Sequence, residues 1–321
     1  MNAKERVMAA IRREEVDHVP SGFSIHFPKE CANGSPAVEA HRRFFQETET
    51  EICKIMNENL VPSWPGLKRA EQWRDLPKFD KNSVFLVRQI ELTKRILDVM
   101  PENHFSLGTL HGVVASCIHP IEAEYGYRAS RELMCRHLRE NPETMADRFK
   151  ATAEGLCQLA EMYGKAGVDG IYYAALGGER HYYTDEEFSW LIEPLDKQVL
   201  QAAREAGCSV FLHICKENLN MERYRSYAAY ADVVNWGVYE APFSVEEGKE
   251  LFPDTAIMGG LANHGGALTD GKEEEIQKEV GSLLQKTGKK GWILGADCTL
   301  PSDIPCSRIR AAVRAAEKFR Y

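Results

Sequence analysis

The chain has 321 residues, 44% hydrophobic and 27% charged, and its 40 Lys and Arg against 48 Asp and Glu leave a formal charge of -8. These are ordinary globular values, which excludes wholesale disorder, collagen and coiled coil. The acidic balance argues against nucleic acid or an anionic membrane as main partner, because both require a basic surface.

A chain of this length buries about three quarters of its unfolded surface and needs no disulfide or metal simply to fold. The opening stretch MNAKERVMAAIRREEVDHVP is charged and amphipathic, without an apolar h-region, so no signal peptide is expected. No apolar run approaches the roughly 20 residues that cross a bilayer. The expectation is a soluble, cytoplasmic protein. Its 9 cysteines are scattered and odd in number, which in a reducing cytosol means mostly free thiols and a minority of metal ligands or nucleophiles.

In chain order, an opening helix over Ala3–Arg13 is expected to pack outside the main fold. Short β-branched runs then recur at Gly22–His26, Ile52–Met56, Phe105–Leu110, Gly170–Ala174, Ser209–Cys215, Val233–Val238, Ala256–Leu261 and Trp292–Cys298. Segments of helical period separate them. One is Asn141–Ala166, with Pro142 near its start and Gly167 at its end; another is Thr184–Gly207, opened by a Thr-Asp-Glu-Glu capping box. Eight strands alternating with helices predict an α/β chain forming a (β/α)8 TIM barrel, and residues 1–321 read as a single domain. About fifty residues between the second and third strands, Asn57–His104, read as an insertion or lid over one mouth. A doubly wound sheet is the rival, but it would usually have fewer strands and a Gly-rich first turn, which is missing.

The chemistry concentrates at strand ends. On the strand Ser209-Val-Phe-Leu-His-Ile-Cys215, His213 and Cys215 are two apart and face the same way. At the C-terminal end of a barrel strand they stand where barrel enzymes keep their active sites. Trp292-Ile-Leu-Gly-Ala-Asp-Cys298 brings Cys298 to the same mouth. One imidazole and two thiolates would make a three-ligand zinc site with an open position, the arrangement of a catalytic zinc, and thiolates favour zinc over magnesium or calcium. The competing interpretation is that a cysteine at a strand end is a small buried hydrophobe. A structural zinc is disfavoured because no fourth ligand with knuckle spacing is present.

Glu179, after Ala174-Ala-Leu-Gly-Gly, is a candidate fourth ligand displaced by substrate, or a proton acceptor. His26, Glu58, His111, Asn235 and Asn263 would line the mouth and suit a polar or anionic small substrate, with His264 beside them. Asp297 is expected to turn away into a loop hydrogen bond. Tyr172, Tyr173, Tyr182 and Tyr183 are read as packing. The Gly-Gly pairs lack any nucleotide-phosphate context, and no G-x-S-x-G elbow is present.

Several segments carry a family likeness: Glu5-Arg6-Val7, Asp17-His18-Val19-Pro20, Lys54-Ile-Met-Asn-Glu58, Gly177-Gly-Glu179, Phe211-Leu-His-Ile-Cys215, Gly259-Gly-Leu261 with Gly265, and Gly295-Ala-Asp-Cys298-Thr-Leu-Pro301. Together they resemble the uroporphyrinogen decarboxylase superfamily, in its zinc-dependent branch of methylcobamide:coenzyme M methyltransferases. The resemblance spans almost the whole chain. It implies a barrel in which His213, Cys215 and Cys298 match the family's His-x-Cys…Cys zinc set. It also implies methyl transfer between a corrinoid and a thiol or another small methyl compound, in a direction the residues do not fix. No D-x-H-x-x-G cobalamin signature occurs, so the corrinoid is expected as a substrate or on a partner protein. Two rivals accompany this reading. One is uroporphyrinogen decarboxylation, against which Val19–Pro28 lacks the arginine that would grip substrate propionates. The other is a non-catalytic barrel that binds a metal or corrinoid.

Overall fold

The structure is a computed structural model that describes residues 1–320. Its centre is a parallel sheet of 7 strands in the order β1-β2-β3-β4-β5-β6-β7. These are β1 (Ile52–Ile55), β2 (Phe105–His111), β3 (Gly170–Ala175), β4 (Ser209–Ile214), β5 (Val233–Trp236), β6 (Ala256–Leu261) and β7 (Trp292–Ala296). Nearly every residue in them is buried, as expected of parallel strands covered on both faces. The helices are α1 (Ala3–Ile11), α2 (Gly34–Thr48), α3 (Val84–Leu97), α4 (Val113–Tyr125), α5 (Tyr127–Glu140), α6 (Pro142–Ala166), α7 (Asp185–Glu187), α8 (Glu193–Glu205), α9 (Val245–Leu251), α10 (Ala267–Asp270), α11 (Glu273–Thr287) and α12 (Cys306–Lys318). None is long and apolar enough to cross a membrane among the described residues.

The first of the eight expected strands, Gly22–His26, is not a regular strand. Isolated bridges replace it, joining Ser21 to Leu294, Gly22 to Ile52 and Ile25 to Leu300. Pro20 has no N–H to extend a ladder, yet its carbonyl accepts from Leu294 N at 2.8 Å, while Ser21 O accepts from Ile52 N at 3.0 Å. The segment therefore bridges β7 and β1 and curls the sheet into a TIM-barrel-like fold. Glycine is required at 22 because a Cβ there would lie 3.0 Å from both Ile52 Cβ and Met258 Cε.

Period-two alternation sends Ile52, Phe105, Leu107, Tyr172, Phe211, Val233, Met258 and Ile293 to one inner cluster. Val7, Ala9 and Ala10 of α1 belong to the same cluster. The opening helix, expected to pack outside the main fold, instead packs into the floor of the inner layer. Helix α6 follows expectation: Asn141 accepts from Thr144 N at 3.2 Å and Gly167 ends the helix at φ 92°. The expected helix Thr184–Gly207 is broken by a π turn over Phe188–Ile192, because Pro194 cannot donate to the carbonyl four residues back. The stretch 57–104 is tied to the outer helices: Trp73 Nε1–H donates to His137 Nδ1 at 2.9 Å, and Arg148 donates to the carbonyls of Leu76 and Pro77 at 3.2 and 3.0 Å.

One buried carboxyl makes stability depend on pH. Asp196 on α8 accepts from the hydroxyls of Tyr173 and Tyr227 and forms no ion pair among the described residues. Burial pushes its carboxyl up to about 7, against about 3.9 in an unfolded chain. The folded state therefore binds the proton more tightly. This contribution is full below about pH 4 and is lost as pH rises through about 7. Asp196→Asn, which keeps the size and removes the charge, should flatten the decline in thermal midpoint between about pH 5 and 8. Thermal unfolding across that range checks it, and parallel wild-type and variant curves would refute it.

Candidate metal-binding site at the barrel mouth

Three side chains converge above the inner layer. Phe211 lies in that layer, so His213 and Cys215, at the next two same-facing positions of β4, rise from it toward the C-terminal mouth. Cys298 follows β7 at the same height. Cys298 Sγ is 3.4 Å from His213 Nε2 and 3.9 Å from Cys215 Sγ. The three candidate ligand atoms all lie within 4.8 Å of one another. His213 is 2% exposed and its ring stacks on Tyr172, with centroids 5.2 Å apart and planes at 22°. The two thiols are in hydrogen-bond contact. Cys298 is pushed down because Cys215 donates to it and His213 lies beside it, while Cys215 as the donor is pushed up.

A cation stands beside them that the sequence reading did not single out. Lys54 is 6% exposed and points inward, two positions above the inner-layer Ile52. Its Nζ lies 3.5 Å from the Tyr172 ring centroid and donates to Ser24 Oγ at 3.3 Å. Ser24, Lys54, Tyr172 and Cys298 line one small cavity on the barrel axis. Burial pushes Lys54 down to about 8, and the two thiols oppose that shift. A second lysine, Lys216, follows Cys215 in a left-handed backbone conformation, φ 87°, with Nζ over the Tyr127 ring at 4.9 Å. The signal for Lys54 was a lone charge inside the apolar run Ile52–Ile55.

Asn235 is reached but not free. Its Oδ1 accepts from Tyr172 OH at 2.9 Å, and its Nδ2 donates to Met258 O at 2.9 Å and Ala296 O at 3.2 Å. It braces the ring that backs His213. Glu179 is fully buried and outside the three-ligand cluster. It pairs with Arg131 and accepts from Gly177 N at 3.0 Å, while Arg131 lies over the Tyr182 ring at 4.0 Å. Its charge still bears on Cys215. His26 Nδ1 and Glu58 Oε1 are 2.8 Å apart. Burial works to raise Glu58, but the His26 contact outweighs it and holds the carboxyl below its usual range. His111 Nε2 lies 3.0 Å from Asn57 O, and burial pushes it down. Asn263 is buried in the loop after β6, and His264 beside it is exposed. Asp297 turns away from the thiols, as expected: Oδ2 accepts from Tyr239 N at 2.8 Å. Its Oδ1 is buried without a partner, as is His213 Nδ1.

The sequence model of the uroporphyrinogen decarboxylase (URO-D) family matches residues 123–319. The chain belongs to that family. No functionally curated protein matches it. Among solved structures, a methyltransferase from Methanosarcina mazei aligns over 99% of both chains with a TM-score of 0.75 and 15% identity. A B12-independent methionine synthase from Shewanella sp. W3-18-1 covers 94% of this chain and 97% of its own, with a TM-score of 0.64 and 14% identity. At such identities these neighbours establish the fold and nothing finer.

Because Lys54 is a buried cation lining the same cavity as Cys298 and interacts electrostatically with both thiols, its removal should make them harder to ionise. In metal-stripped Lys54→Met protein, the pH midpoint of iodoacetamide alkylation at Cys215 and Cys298 should rise by up to about one unit. Peptide mass spectrometry across a pH series reads this directly, and an unmoved midpoint would show that the charge does not reach them.

Proposed function

We propose that this URO-D family protein is a zinc-dependent methyltransferase that moves a methyl group between a corrinoid and a thiol or another small methyl compound. The observation that carries the reading is the convergence of His213 Nε2 with the Cys215 and Cys298 sulfurs. In a tetrahedral site with zinc–sulfur and zinc–nitrogen bonds of about 2.3 and 2.0–2.1 Å, neighbouring ligand atoms stand about 3.5–3.8 Å apart. The separations of 3.4 and 3.9 Å fit that frame. Three protein donors leave one coordination position for substrate. Bound there, zinc would act as a Lewis acid that keeps an incoming thiol deprotonated at neutral pH.

The chain's own residues supply the rest. Tyr172, held by Asn235, fixes the plane of the His213 ring. Lys54 offsets the negative charge that gathers when two thiolates meet a third anionic sulfur. Glu179, held by Arg131 and the Gly177 amide, is assigned as a fourth ligand displaced by substrate or as a proton acceptor. His26, Glu58, His111 and Asn263 are assigned to substrate contact at the mouth. In the thiol direction, the sulfur would attack the methyl carbon, the new S–C bond forming as the carbon–cobalt bond breaks with its electron pair left on the reduced cobalt. The same geometry serves the reverse half-reaction. The corrinoid comes as a substrate or on a partner protein, and the whole chain acts as one catalytic domain.

The second reading is uroporphyrinogen decarboxylation, the activity that names the family. Its many carboxylates would call for guanidinium clamps. Residues 19–28 hold no arginine, and Lys54 is the one charged residue lining the axial cavity.

Wild-type protein purified without tag or chelator should carry roughly one zinc per chain, and Cys298→Ser well under half of that. The variant should lose methyl transfer between methylcobalamin and a panel of thiols while its circular dichroism stays unchanged, because the core folds without metal. Absence of zinc in the wild type, even after titration, would overturn the proposal; unfolding of Cys298→Ser would assign the metal a structural role.

A further inference from the structure

A second feature lies outside the barrel, where the stretch 57–104 packs on α6. A groove of about 500 Å3 there is walled by Trp64, Phe79 and Phe85 and lined by Lys78, Arg88 and Arg148, with no acidic residue in its lining. It shares no residue with the axial cavity. Trp64 is 39% exposed, unusual for so large an apolar side chain, whereas Arg148 is only 4% exposed.

Arg148 is the unusual member. One arm of its guanidinium holds the Leu76 and Pro77 carbonyls, but its buried Nε has no partner. Neither Arg148, Lys78 nor Arg88 forms an ion pair among the described residues. A buried guanidinium without a counter-ion is costly, since charges removed from water are normally paired. A neighbouring groove shares Lys78 and Arg148 and adds Arg74 and Lys150 against Asp147 and Glu154, so its cations outnumber its acids as well. The apolar groove differs in placing Lys78, Arg88 and Arg148 in a lining that has no acidic residue. An aromatic wall beside three unpaired cations matches one ligand chemistry, a flat apolar body bearing a carboxylate, because guanidinium binds carboxylate through paired hydrogen bonds.

We propose that this groove binds a small aromatic carboxylate, its ring against Trp64, Phe79 and Phe85 and its carboxylate held by Arg148 with Lys78 and Arg88. The site is separate from the barrel mouth and does not depend on the function proposed for it.

Isothermal titration of the full-length protein with 1-naphthoate, and with neutral 1-naphthalenemethanol, tests the proposal. One naphthoate should bind per chain, and the alcohol, which lacks the charge for Arg148, Lys78 and Arg88 to hold, should bind at least about tenfold more weakly. Lys78→Gln/Arg88→Gln, confined to side chains without internal partners, should weaken naphthoate about tenfold. Arg148→Met should weaken it further; if that variant fails to fold, the double variant decides. Lys54→Met should leave naphthoate binding unchanged. Absence of binding at millimolar naphthoate, equal affinity for the alcohol, an unaffected double variant, or loss of binding in Lys54→Met would each overturn the proposal.

Discussion

Ser21 and Gly22 hydrogen-bond to both edges of the seven-stranded sheet, and the geometry of the mouth follows from that double engagement. Leu294 on β7 and Ile52 on β1 are drawn to one short segment, so the last strand of the chain is brought beside the first. Ser24 and Lys54 then share a cavity with Cys298, although more than two hundred residues separate them in sequence. A bulky residue at position 22 would push Ile52 and Met258 outward, and the lysine and cysteine with them. The floor built by α1 and the inner apolar layer gives this upper polar layer a rigid base.

Above that base the electrostatics are graded. The two neighbouring thiols face Lys54 on the axis and Lys216 beyond Cys215, so positive charge approaches the sulfurs from two sides. The acids nearby are already occupied: Glu179 by Arg131, Glu58 by His26, and Asp297 by the Tyr239 amide. The mouth thus combines soft sulfur and nitrogen donors with cations that are not committed to carboxylates. This environment lowers the energy of sulfur anions rather than of carboxylic acids.

Strand position and inward alternation were legible in the sequence, because parallel strands buried on both faces leave compact β-branched runs. Seven strands lie where those runs are, and His213, Cys215 and Cys298 meet because strand period and barrel closure both constrain them. The first strand misled because Pro20 and Gly22 allow bridges but not a ladder. The break at Pro194 and the burial of α1 were also hidden. One depends on a single missing N–H, the other on a packing partner distant in sequence. Lys54 and Asn235 show the complementary failure. A lysine inside an apolar strand was visible as an anomaly but had no partner until the barrel closed around it. Asn235 looked like a free polar group and is in fact saturated by three contacts.

The helix that closes the floor also determines traffic. Val7, Ala9 and Ala10 fill the inner apolar layer from below, so among the described residues α1 occupies the end of the barrel opposite the sulfurs and leaves the upper mouth as the side from which a molecule would reach them. A methyl carrier pressed against that opening would shut in whatever lies beneath it. Under the proposed function, the small reactant would enter first and its product leave last, the order of the cycle being set by a plug at the opposite end of the barrel.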